Sequence, residues 1–72
     1  MYAFIKQLRN RDHVRRYSIL PTGCGWEVLE EQDNRVVRQV CYTDWHRVER
    51  ARRAFTMEVS NLKNEGWVAL AD

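Results

Sequence analysis

The chain holds 72 residues with a formal net charge of +2, of which 44% are hydrophobic and 31% charged. This composition excludes a disordered tail, and the length allows one domain that buries only about 60% of its unfolded surface. No apolar run nears the ~20 residues of a membrane span and the first residues carry no signal-peptide core, so no membrane partner and a cytoplasmic location are expected.

Residues 2–8, YAFIKQL, are apolar and partly alternating, and predict a strand, although a short helix fits nearly as well. Arg9 to His13 is polar and reads as a turn or loop. Arg16 to Leu20 is the next strand, with Tyr17 and Ile19 on one face and Ser18 and Leu20 on the other. Pro21 to Gly25 breaks it, because proline cannot donate to a ladder and the two glycines admit positive φ. Trp26 to Glu31 is a further strand, with Trp26 and Val28 sharing a face. Gln32-Asp33-Asn34 makes a tight hairpin loop of the kind Asp and Asn favour. Arg35 to Tyr42 closes the meander, with Val36, Arg38, Val40 and Tyr42 on one face and Val37 and Cys41 on the other. Folding about Asp33 sets Trp26 opposite Val40, a favourable aromatic and β-branched pair. The same fold brings Cys24 near Cys41.

The stretch from Thr43 to Gly66 predicts a helix over about 44–65. With ~100° per residue, Val48, Ala51, Phe55, Val59 and Leu62 fall on one stripe, with Trp45 at its edge. Thr43 or Asp44 can cap the first turn, and Gly66 suits the C′ position. At ~1.5 Å per residue the helix is about 30 Å long, enough to cross a small domain. After it, Trp67 to Leu70 returns over the core or adds a short edge strand. A hairpin alone is unstable in water, so the sheet needs the helix's apolar stripe. The expected fold is α+β: an antiparallel β-meander of three or four strands packed against one long C-terminal helix. Its core is expected to hold Trp26, Val28, Val40, Val48, Phe55, Val59 and Leu62.

Chemistry is sparse. Cys24, Cys41, His13 and His46 are the candidate zinc ligands, but no close Cys-x-x-Cys or His-x-x-x-His pair occurs, so no metal site is expected. In a reducing compartment the two cysteines are expected as free thiols, although the hairpin geometry also allows a bridge. No nucleophile elbow, phosphate loop or metalloprotease motif occurs, and a chain this short has little room for a deep pocket. No enzymatic activity and no cofactor are expected.

The expected function is a small interaction module. Met57 falls in the middle of the outer helix face with Arg50, Arg53 and Ala54, which makes these four the candidate interface for a protein partner or a homodimer. The alternative is nucleic-acid binding. Ten of the twelve basic residues are arginine, whose planar fork suits phosphate. Arg9, Arg11, Arg15 and Arg16 of the basic N-terminal segment, with Arg47, Arg50 and Arg53 of the helix, are the candidate contacts. Glu49 is placed to pair with Arg53 at i+4.

Two resemblances add to this. The stretch YSILPTGCGWEVLEEQDNRVVRQVCYTDWHRVERARRAF resembles small bacterial domains of unknown function. These are built on a strand, a Pro/Gly turn, a GW-x-V strand, a strand ending in Thr, and a helix with spaced alanines. Tyr17, Pro21, Gly25, Trp26, Val28, Thr43 and Ala51 match that pattern, over a little more than half the chain. It implies a meander plus helix and no assigned activity. Phe55, Leu62, Lys63, Gly66 and Trp67 resemble the closing helix of the WGR domain, a nucleic-acid-associated module, which ends in an aromatic after Gly. The Trp-Gly-Arg tripeptide itself is absent, and Trp45-His46-Arg47 stands in the first helical turn without the glycine.

Overall fold

The computed structural model describes residues 3–70, so Tyr2 of the expected first strand lies outside the described residues. Four long strands run up and down in sequence: β1 (Phe4–Asn10), β2 (His13–Thr22), β3 (Gly25–Gln32) and β4 (Arg35–Tyr42). Helix α1 (Trp45–Asn64) follows, and β5 (Val68–Ala69) adds a short strand beside β1. The sheet is antiparallel in the order β4-β3-β2-β1-β5, with α1 packed on one face. The expected α+β meander and helix is therefore the observed one, and the C-terminal return supplies the fifth strand. Among the described residues no helix is long and apolar enough to cross a membrane.

The helix follows its sequence closely. Asp44 is the N-cap, its carboxylate accepting from the His46 N–H at 2.9 Å. At the other end Gly66 takes φ +101°, the Trp67 N–H donates to the Leu62 carbonyl at 2.9 Å, and the Gly66 N–H to that of Lys63 at 3.2 Å. This is the Schellman closure, and it turns Trp67 back against the core. The stripe Val48, Ala51, Phe55, Val59 and Leu62 is buried and meets Leu8, Tyr17, Ile19 and Val28 from the sheet.

The strands depart from expectation in register and length. The loop between β3 and β4 is two residues, Asp33 and Asn34, both with positive φ (52° and 67°), so Gln32 pairs with Arg35. A bulge follows: Glu31 pairs with Val36 but Glu30 with Arg38, leaving Val37 as the extra residue. Trp26 therefore faces Tyr42, and Val28 takes the place opposite Val40. The bulge also moves Val36 off the face that carries Val40, and Val36 and Val37 are both exposed. Trp26 and Val40, expected in the core, are only half-buried. Trp26 sits at the end of its strand, where Trp45 meets it edge-on at 5.2 Å. β2 is also longer than expected. The turn after β1 is only Arg11 and Asp12, and Pro21 stays in the strand opposite Trp26. Pro21 lies next to the end of β2, where proline is best tolerated in a strand.

Polar groups on the helix-covered face leave a pH signature. Tyr17 is fully buried, and burial pushes the pKa of its hydroxyl up. Burial, and then the charge of Glu30, raise the Glu58 carboxyl above its ordinary 4.5. The folded state then holds the Glu58 proton more tightly than the unfolded state. Glu58 opposes folding at neutral pH, and this opposition is relieved as pH falls through the raised value to the unfolded one. Glu58→Gln is accordingly expected to raise the urea midpoint at about pH 7 and to leave it unchanged at about pH 4. An equal gain at both pH values would assign the effect to something other than ionisation.

Candidate functional site

The arginines expected to act together are separated by the fold. Arg9, Arg11, Arg15 and Arg16 lie at the end of the sheet that carries the β1–β2 turn, on strands remote from β4. Each of three has a local engagement there. The Arg9 Nε donates to the Arg11 carbonyl at 3.1 Å, Arg15 lies over the Trp67 ring at 5.1 Å, and Arg16 stands 4.0 Å from the Glu31 carboxylate. Arg11 holds φ +57° in the turn. The helix starts at the opposite end of the sheet, directly after β4, so these four do not join the helix arginines.

The helix arginines also divide. Arg52 binds Glu49 through two contacts, at 2.6 and 3.1 Å, and the expected partner Arg53 shares the same carboxylate at 4.0 Å. Arg52 holds the Glu49 carboxyl below its ordinary range. Arg53 and Met57 point outward, and Met57 is 69% exposed. Arg47 and Arg50 lie on the flank of α1 that faces β4.

On that flank the structure forms a groove of about 350 Å³, lined by Arg38, Tyr42, Arg47, Arg50, Ala51 and Ala54. Its origin is local. Arg38 and Tyr42 each lie two residues from Val40, on the same helix-covered face of β4. β4 is the edge strand, so no further strand closes the opening. Across from it, Ala51 and Ala54 are one helical turn apart and too short to fill the space. Arg47 and Arg50 stand at its helical wall, also one turn apart. The three guanidinium groups are exposed and, among the described residues, none makes a hydrogen bond or an ion pair. Glu58 is close enough to feel the charge of Arg38 but does not bond it.

Arg38 was absent from the residues expected to bind. Its signal was a charge on the same face as Val40 and Tyr42, a position that would bury it unless the facing helix carried small residues. Ala51 and Ala54 are those residues, but their pairing with β4 appears only when the helix is docked. Among the described residues no group of three or more His, Cys, Asp or Glu could hold a metal ion. Comparison with protein-family models, curated proteins and solved structures finds no match.

Proposed function

We propose that this domain is a non-enzymatic binding module that holds nucleic acid in the groove between β4 and α1. The observation that carries this is the convergence of Arg38, Arg47 and Arg50, none engaged by an acidic partner, around one opening with an aromatic wall. Guanidinium groups meet phosphate oxygens with matched planar geometry. The Tyr42 ring offers a face on which an unpaired base can stack. Ala51 and Ala54 let a backbone approach the helix closely.

The test is binding of a mixed-sequence single strand and a mixed-sequence duplex across a range of salt. About three phosphate contacts give a log–log salt slope near −2 to −3. The double variant Arg47→Glu/Arg50→Glu is expected to weaken binding about tenfold or more at low salt and to flatten the slope by about two. Arg38→Glu should do the same in proportion, whereas Arg9→Glu or Arg11→Glu should do far less. Loss of binding through the N-terminal arginines alone would sink the groove.

A second reading, association with a protein partner or a second copy through the outer helix face, draws on the exposure of Met57 between Arg53 and Ala54. Sedimentation equilibrium separates the two. A dimer that is insensitive to salt and ignores nucleic acid favours association, and Met57→Lys should then dissolve it.

A further inference from the structure

Cys24 and Cys41 lie far apart in the chain, yet their Sγ atoms stand 3.2 Å from each other. Both side chains are exposed and both are free thiols. The pair is held by the fold rather than by chance proximity of loose ends. Cys41 is on β4 opposite Glu27, inside a continuous ladder. Cys24 is in the two-residue turn between β2 and β3, closed by the Thr22–Gly25 pair. Gly25 lets this turn lie against the end of β4. With φ +141° its backbone passes so close to Tyr42 and Thr43 that a Cβ would collide with them. Thr22 ties the arrangement together. Its Oγ1 accepts from the Cys24 N–H at 3.3 Å and stands 3.5 Å from the Cys24 sulfur and 3.8 Å from the Cys41 sulfur.

We propose that Cys24 and Cys41 form a reversible redox site that undergoes thiol–disulfide exchange with low-molecular-weight disulfides. The Cys24 thiolate attacks one sulfur of the external disulfide, forming a mixed disulfide on Cys24 and releasing one small thiol. The Cys41 thiol, as its thiolate, then attacks the Cys24 sulfur, forming the Cys24–Cys41 bond and releasing the second small thiol. The protein loses two electrons and two protons, and the external disulfide takes up both as two thiols. The order follows from the environment of each sulfur. Hydrogen bonding with Thr22 and then with Cys41 holds the Cys24 thiol below its ordinary pKa, while hydrogen bonding with Cys24 holds the Cys41 thiol above it. The nucleophile is the thiolate, so Cys24 reacts first. Closing the bond brings the sulfurs from 3.2 Å to about 2.05 Å. The bridge ties the β2–β3 turn to the end of β4, three residues before the cap of α1.

The experiment equilibrates the pure chain with buffers of oxidised and reduced glutathione and reads intact mass. Wild type is expected to lose two hydrogens, retain no glutathione, and return to the dithiol when reduced glutathione is raised. The Cys41→Ser variant is expected to accumulate one glutathione on Cys24. In the wild type, an early acid quench is expected to find the transient glutathione on Cys24 and not on Cys41. Circular dichroism confirms that both exposed-site variants are folded. Glutathione retained on the wild type, no reaction at all, or cross-linked dimers in place of an internal bridge would each overturn the site. Transient glutathione found mainly on Cys41 of the wild type would overturn the order of attack.

Discussion

Phe55→Ala is expected to lower stability by about 3–5 kcal/mol. A domain of this length holds about 0.05–0.15 kcal/mol per residue, or roughly 4–11 kcal/mol in all, so the variant is largely unfolded or close to it at 37 °C. The reason is position as much as size. Phe55 is fully buried at the middle of α1 and meets Tyr17 at 4.9 Å and Phe4 at 6.3 Å between ring centroids. It is the point where the helix is joined to β1 and β2 together. The neighbouring Tyr17 and Phe4 are held in strands paired along their length, so they cannot collapse into the space left behind. Thermal unfolding followed by circular dichroism reads the effect. Met57→Ala, two positions on and exposed, is the control and should melt with wild type. A Phe55→Ala variant with an unchanged melt would mean that the helix does not dock by this face.

Gly25→Ala is expected to cost roughly 2–5 kcal/mol, from strain at a positive φ added to a backbone clash. An ideal Cβ at this position would overlap the Tyr42 carbonyl oxygen, at 3.1 Å from the carbonyl carbon and 3.2 Å from the Thr43 Cα. These are backbone atoms at the end of β4 and at the approach to the helix cap, so relief requires the β2–β3 turn to lift away from β4. The same movement separates Cys24 from Cys41, and the variant should therefore bridge slowly as well as melt early. Gly23→Ala is the contrast within the same turn. Nothing lies within 4 Å of its Cβ position, and its φ is not positive. It should leave both melting and bridging close to wild type. A mild Gly25→Ala variant would show that the turn is not pressed against β4 in solution.

The groove and the dithiol both lie along β4, and both depend on its being an edge strand. An edge strand exposes unpaired backbone and invites pairing with other chains. Here the bulge at Val37 and the charges of Arg35 and Arg38 oppose such pairing, while the missing neighbour leaves Arg38 and Tyr42 open to a ligand.

Much of this architecture was determined by the sequence alone, where the determining interactions are local. The apolar stripe of α1, its Asp44 cap and the Gly66 turn lie within one helix and its ends, so periodicity and capping chemistry sufficed. The meander was likewise legible from β-branched runs punctuated by Asp33-Asn34 and Gly23 to Gly25. Where local signals are weak, the tertiary structure decided. The register of β4 turns on a two-residue loop and a bulge at Val37 that no residue type announces, and together they moved Trp26 from Val40 to Tyr42. Pro21 stayed in a strand, paired with Trp26, where its residue type argued for a break. The arginines form no site in sequence order. Their grouping depends on which flank of α1 faces β4, and only the docked helix brings Arg38 to Arg47 and Arg50 while leaving Arg9, Arg11, Arg15 and Arg16 at the far end of the sheet.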